Sequence, residues 1–265
     1  MMGAVIGDIA GSVYERHNIK TKDFPFWRED CRFTDDTVMT CAVFEAFRKY
    51  HEGGRVGDLR DHLVREMKTF GRLYPDRGYG AGFKIWLASP ESEPYGSFGN
   101  GSAMRVSAVT AFAADLEEAQ RFAAVSASVT HNHPEGIKGA VAVATAVFLA
   151  EEGKSREDIR TALSEFYSLD FTLDEIRDRY TFDVTCQGSV PQAVEAFLEG
   201  RDFEDVIRNA VSIGGDSDTI AAMAGSIGEA FFGIPEDMEK KAYSYLDNRL
   251  AGILRKRRKY KCQRR

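Results

Sequence analysis

Gly3, Gly7 and Gly11 recur every four residues along the first apolar stretch of the chain. On a helix this spacing places all three on one side. Each glycine costs a helix about 1 kcal/mol relative to alanine, so a stripe of three implies that another backbone approaches closely. A matching run lies far downstream: Ile220, Ala221, Ala222, Met223, Ala224 and Gly225. In a membrane such a stripe would suggest a pairing face, but the first stretch is short and carries Asp8 and Glu15. The expectation is a helix over 3–15 packed tightly against a helix that begins near Ile220.

Both regions lie beside acidic clusters. Ser212-Ile213-Gly214-Gly215-Asp216-Ser217-Asp218-Thr219 runs directly into the small-residue stretch. Thr34-Asp35-Asp36-Thr37 runs into Val38, Met39, Cys41, Ala42, Phe44, Ala46 and Phe47. Polar residues ahead of an apolar periodic run mark a helix start, and each cluster taken singly reads as capping. Adjacent carboxylates repel unless something neutralises them, and a helix terminus supplies only about half a charge. Two such clusters facing each other would be stabilised by a divalent cation between them, and more so by two. Oxygen-only ligands suit Mg²⁺, Mn²⁺ or Ca²⁺ rather than Zn²⁺. Close packing of the two small-residue helices would bring Glu15, the Asp35 pair and the Asp216 pair together. Asp8 is expected to be a buried acid that caps a neighbouring helix.

Between the clusters the pattern is helical. Helices are expected over 37–51, over 56–70 with Val56, Leu59, Leu63 and Met67 in phase, and over 83–88. Residues 16–33 read as a loop bordering a cleft. Arg77-Gly78-Tyr79-Gly80-Ala81-Gly82 is either a plain turn or a backbone cradle for phosphate. Gly96-Ser97-Phe98-Gly99-Asn100-Gly101-Ser102-Ala103-Met104-Arg105 is a second glycine-rich turn, whose donors suit a phosphate or a ribose hydroxyl. Asp115, Ser155, Thr172 and Asp202 each stand three residues before an acid, as at capped helix starts. In Thr130-His131-Asn132-His133-Pro134 the histidines are two apart and share no helical face. A zinc site is therefore disfavoured, which leaves a polar contact to a ligand from one histidine, or capping. Gly233 should stop the Ile220 helix, and Pro235 should open a last one to about Leu254. Residues 255–265 form a basic tail.

No stretch alternates as a strand would, so the fold class is all-α, with one domain over 1–254 and the tail behind it. Apolar residues make up 43% and charged residues 29%, which excludes a disordered chain. A net charge of −6 argues against nucleic acid as the main partner. Cys31, Cys41, Cys186 and Cys262 form no C-x-x-C pair and read as reduced thiols of a cytoplasmic protein. No apolar run approaches the length of a membrane span, and the start lacks the basic region of a signal peptide. A monomer is expected.

With these residues in hand, the chain resembles the ADP-ribosylglycohydrolase family, the group of dinitrogenase-reductase-activating glycohydrolase and the ADP-ribosyl-acceptor hydrolases. The resemblance rests on five motifs in order: Gly3-Ala4-Val5-Ile6-Gly7-Asp8 through Tyr14-Glu15, Thr34–Thr37, Gly99–Arg105, Thr130-His131 and Gly214–Thr219. It implies a compact, orthogonal multi-helix fold with a binuclear Mg²⁺ or Mn²⁺ centre in a cleft. Thr34, Asp35, Asp36, Asp216, Asp218 and Thr219 would be the metal ligands, and Glu15 the mobile acid near the second metal. The substrate contacts would be Gly78, Tyr79, Gly80, Gly82, Asn100, Gly101, Ser102, Met104, His131, Gly214 and Gly215. The stretches 77–82 and 95–99 resemble most the branch that acts on serine-linked ADP-ribose and its polymers. The arginine-specific branch shares the metal motifs.

The implied chemistry is hydrolysis at the ribose anomeric carbon of an ADP-ribosylated protein or small-molecule conjugate. That reaction passes through an oxocarbenium-like state. Two metals can hold vicinal hydroxyls and position a water, with the catalytic residue Asp36 or Glu15 as the general base that accepts the water's proton. Two alternatives stand beside this reading: a two-metal nucleotide phosphohydrolase and a non-catalytic ADP-ribose-binding protein.

Overall fold

The computed structural model describes residues 1–263. The described residues form fourteen α-helices and no strand. In order these are α1 (Met2–Gly11), α2 (Asp35–Glu52), α3 (Leu59–Leu73), α4 (Ala81–Ala88), α5 (Gly101–Met104), α6 (Leu116–Ser128) and α7 (Pro134–Glu151). There follow α8 (Arg156–Ser164), α9 (Leu173–Arg177), α10 (Cys186–Leu198), α11 (Phe203–Ser212), α12 (Ser217–Phe232), α13 (Glu236–Tyr243) and α14 (Asn248–Gln263). A 3₁₀ helix over Val106–Phe112 joins α5 to α6.

The glycine stripe does what its spacing requires. A Cβ on Gly3 would lie 2.1 Å from the carbonyl oxygen of Gly225, and one on Gly7 would lie 2.0 Å from that of Ala221. Every residue of α1 is buried, as are Ser217 through Gly228 of α12. These two helices form the centre of the molecule, with α7, α10 and α11 packed on α12 and α2 packed on α1. The pairing sets the site, because the end of α1 and the start of α12 lie side by side. A Cβ on Gly11 would meet Asp218 Cα at 2.5 Å.

Local caps start the helices as expected. Asp115 and Asp202 accept from the amides of Glu118 and Asp205, and Ser155 and Thr172 form full capping boxes with Asp158 and Glu175. Three boundaries differ from the sequence reading. The first helix ends at Gly11 rather than 15, because the chain tightens into a turn in which the Tyr14 amide bonds Gly11 O at 2.8 Å. The third helix starts at Leu59 rather than 56. Gly57 sits at φ +85°, Asp58 caps the helix, and Val56 is exposed. The last helix is two, since Asp247 accepts from the amides of Arg249 and Leu250 and starts α14 afresh. That helix runs on past Leu254, where the tail was expected to begin, and Arg257 is buried against Glu151 at 3.0 Å. Residues 264–265 of the tail lie outside the described residues.

Candidate metal centre and cleft

The N-termini of α2 and α12 meet at one end of a cavity of about 680 Å³. Glu15, Thr34, Asp35, Asp36, Asp216, Asp218 and Thr219 all line it. Thr219 Oγ1 donates to Asp36 Oδ2 at 3.2 Å, joining the two acidic clusters directly. Ligand atoms of Asp8, Asp36 and Asp218 lie within 4.8 Å of one another. The convergence expected from the helix pairing is therefore present.

Asp8 anchors this end of the fold. It is fully buried and accepts from the amide and hydroxyl of Thr34, at 2.9 and 2.7 Å, and from the amide and hydroxyl of Thr37. Orphan N–H groups at the start of a helix need such partners, so Asp8 caps α2, as its placement suggested. With both oxygens already accepting, it acts as a holding group behind Thr34 rather than as an open ligand.

The other acids are poorly satisfied. Asp36 Oδ1 is buried without a hydrogen-bond partner. Burial and mutual repulsion push the four aspartates upward: Asp35 to about 8 and Asp216 to about 6, with Asp36 and Asp218 well above the ordinary range. The Asn100 amide, 2.7 Å from Asp216 Oδ2, opposes the rise there. No basic side chain forms an ion pair with these acids among the described residues. Unneutralised buried carboxylates are costly, and an orphaned carboxylate oxygen among oxygen donors fits a hard divalent cation.

Other expected contacts fall into two groups. Gly78, Gly80, Gly82, Asn100, Gly101, Met104 and His131 line the cavity. Gly78 is at φ +100°, and a Cβ there would sit 3.0 Å from Asp35 Oδ1, so this position requires glycine. The Asp35 amide donates to Arg77 O at 2.8 Å and ties that loop to α2. Tyr79, Ser102, Gly214 and Gly215, expected beside them, are not among the residues lining the cavity. Tyr79 turns inward and stacks on Phe83. The Ser102 hydroxyl donates to Gly136 O at 2.6 Å. Gly214 and Gly215, at φ +70° and +73°, form the turn that delivers Asp216, and the Gly215 amide is taken by Asn18 Oδ1 at 2.7 Å.

Several lining residues escaped the sequence reading. Phe182 and Val184 reach the cavity from a distant segment. It is held there by Asn100 N donating to Val184 O at 2.8 Å and Cys186 N donating to Phe98 O at 3.0 Å. Their half-exposed apolar side chains carry no local pattern that would mark them. Arg16, Arg32 and Asp76 also line the cavity. Behind the lining, the Asn18 amide donates to Tyr14 O, Glu15 O and Gly215 O, clamping the backbone of the Glu15 turn onto the start of α12. No described helix is long and apolar enough to cross a membrane.

Comparison with known proteins agrees with this geometry. ADP-ribosylhydrolase ARH3 of Homo sapiens is 27% identical, with 92% of this chain and 88% of that protein covered. ADP-ribosylarginine hydrolase Tri1 of Pseudomonas putida is 28% identical, with 95% and 75% covered. A solved structure titled "ADP-ribosylglycohydrolase-related protein complex" has the same fold, with a TM-score of 0.64 over 99% of this chain and 94% of its own, at 21% identity. Residues 1–261 match the family described as ADP-ribosylglycohydrolase. With this match running through both acidic clusters and the cleft between them, the chain belongs to the ADP-ribosylglycohydrolase family and is an enzyme of that class.

Proposed function

We propose that this enzyme hydrolyses the glycosidic bond joining ADP-ribose to an acceptor, with two Mg²⁺ or Mn²⁺ ions held by Thr34, Asp35, Asp36, Asp216, Asp218 and Thr219. The observation that carries this reading is the meeting of two acidic helix starts, with an orphaned Asp36 oxygen, in a cavity roomy enough for a nucleotide sugar. The names of the ARH3 and Tri1 relatives point to ADP-ribose, and the second to arginine as its acceptor. Bound ions of this kind supply Lewis acidity and orient hydroxyl groups and water.

The protein's own groups have separable tasks. Thr219 directs its hydroxyl at Asp36 Oδ2, at 3.2 Å, and so helps fix its orientation, while Thr34, its hydroxyl hydrogen given to Asp8, offers Oγ1 to the Asp36 amide. Glu15, whose carboxylate makes no hydrogen bond among the described residues although its backbone is clamped by Asn18, is the less rigidly held acid, and it or Asp36 takes the proton of the attacking water. Amides of the 78–82 loop and of Gly101, at the cavity, would meet the diphosphate. Tyr95 and Phe182 offer aromatic surface at the cavity for the base.

The test is an assay in Mg²⁺ with arginine-linked, serine-linked and polymeric ADP-ribose and with O-acetyl-ADP-ribose, read as free ADP-ribose. Release from at least one substrate, abolished by EDTA, is expected. Phosphate release in its place would move the assignment to a nucleotide phosphohydrolase. ADP-ribose binding without turnover of any substrate would move it to a non-catalytic binder.

Metal dependence also has a stability signature. Asp35 and Asp216 sit at about 8 and about 6 in the ion-free fold, above the ordinary 3.8. A carboxyl raised on folding contributes fully below its unfolded pKa and loses that contribution as pH rises through the folded value. In EDTA the melting temperature should therefore fall between about pH 4 and pH 8. Mg²⁺ should restore it, more at pH 8 than at pH 5, because ions compete with protons for the same oxygens. Melting curves indifferent to Mg²⁺ at pH 8 would remove the metal ligands from the proposal.

A further inference from the structure

Arg105, Thr130 and His131 form a buried chain of hydrogen bonds at the cavity wall. Their exposures are 1%, 0% and 4%. Arg105 and His131 line the cavity. Arg105 has no carboxylate partner among the described residues. Its Nη2 donates to Ser126 O at 3.0 Å and to Thr130 Oγ1 at 2.9 Å, and its Nε is buried without a partner. Thr130 Oγ1 is in turn 2.7 Å from His131 Nδ1.

The inventory of donors decides the direction of the second bond. A guanidinium only donates, so Thr130 Oγ1 must accept from Arg105. The hydroxyl then has one hydrogen left, and His131 Nδ1 is its neighbour. Were Nδ1 to donate instead, that hydrogen would have no described acceptor in a fully buried position, a costly arrangement. Nδ1 is therefore the acceptor. A neutral imidazole with an accepting Nδ1 carries its proton on Nε2. Burial, and then the Arg105 charge, hold the ring well below its usual pKa and keep it neutral. Nε2 points past Gly101, where an added Cβ would lie 3.2 Å from it, and no described residue bonds it.

We propose that Arg105 and Thr130 are positioning residues that lock His131 as its Nε2–H tautomer, so that the ring offers a fixed N–H donor to a diphosphate oxygen of the ligand. The identity of that acceptor rests on the ADP-ribose reading above; the tautomer does not. The relay also holds an uncompensated guanidinium beside the same surface, which favours an anion there.

The experiment is long-range ¹H–¹⁵N correlation on the full chain with ¹⁵N-labelled histidine and no ligand, the His131 signals being assigned by their loss in His131→Gln. The wild type should show a protonated Nε2 and a bare Nδ1. Thr130→Val should abolish that pattern and raise the calorimetric Kd for ADP-ribose about tenfold, as loss of one well-placed hydrogen bond implies. Thr130→Ser should keep the tautomer and stay within about twofold in Kd. A wild-type ring protonated on Nδ1, or a Thr130→Val protein with an unchanged tautomer, overturns the proposal. If Thr130→Val does not fold, the wild-type spectrum decides. A wild type with Nε2–H that binds no ADP-ribose supports the relay and overturns the ligand reading instead.

Discussion

Asp218→Ala should lower turnover of the best substrate by roughly a thousandfold or more. The reasoning is that a cation's share in stabilising developing charge amounts to several kcal/mol, and each 1.4 kcal/mol or so is a factor of ten. Asp36→Ala should lose as much, since Asp36 joins the two acidic clusters through the Thr219 hydroxyl and carries the orphaned oxygen. Stability should move the other way. Asp218 is buried with its carboxyl pushed well above the usual range by burial and by the charges of Asp216 and Asp36. Removing it relieves that repulsion, so in EDTA at pH 8 the variant should melt no lower than the wild type. The response of the melting temperature to Mg²⁺ should shrink in parallel. An Asp218→Ala or Asp36→Ala protein with full turnover refutes the ligand assignment. A variant that loses both activity and ion-free stability marks the residue as structural.

The largest stability effect is expected from Gly7→Ala. An added methyl would lie 2.0 Å from Ala221 O, 2.3 Å from Ala221 C and 2.7 Å from Ala222 N. All three are backbone atoms of α12, so no side-chain rotation can relieve the clash and the helices must separate. Overpacking costs typically 1–3 kcal/mol, and a rigid backbone partner places this case at or above about 3 kcal/mol. For a chain of this size that is a fall of about 6–12 °C in melting temperature. Because α12 begins with Ser217 and Asp218, the displacement should also weaken the Mg²⁺ response. The contrast is Gly252→Ala, where an added Cβ meets nothing within 4 Å in the helical α14. There the gain in helix propensity should raise stability by about 0.5–1 kcal/mol. Thermal melts of the two variants side by side test the claim. If Gly7→Ala melted like Gly252→Ala, the close approach of α1 to α12 would be wrong.

The starts of helices were legible because capping is local. Asp115, Ser155, Thr172 and Asp202 each bond an amide three residues on, and nothing else in the fold is needed to see it. The pairing of α1 with α12 was legible for a different reason: three glycines at helical spacing make sense only against another backbone. From that one contact followed the meeting of the Asp35 and Asp216 clusters. The ends of helices were less legible. Glu15 leaves α1 through a turn, and Asp247 restarts the last helix, because hydrogen bonds at those points compete with helical continuation on nearly equal terms.

Residue chemistry and spacing by themselves determined the all-α class, the helix pair at the centre and the acidic clusters, and the family followed from the resemblance that the five motifs carry. Tertiary structure alone decided which neighbours in those motifs face the cleft. In the 77–82 loop Gly78 and Gly80 face the cavity while Tyr79 is buried on Phe83. In the 212–219 motif Asp216 and Asp218 face it while Gly214 and Gly215 serve the turn. Only the fold brings Phe182, Val184 and Asn18 to the site, and only it aligns Arg105, Thr130 and His131. These placements depend on contacts between residues up to about 200 positions apart, such as Asn18 with Gly215, and no local pattern encodes the direction in which a side chain meets a distant partner.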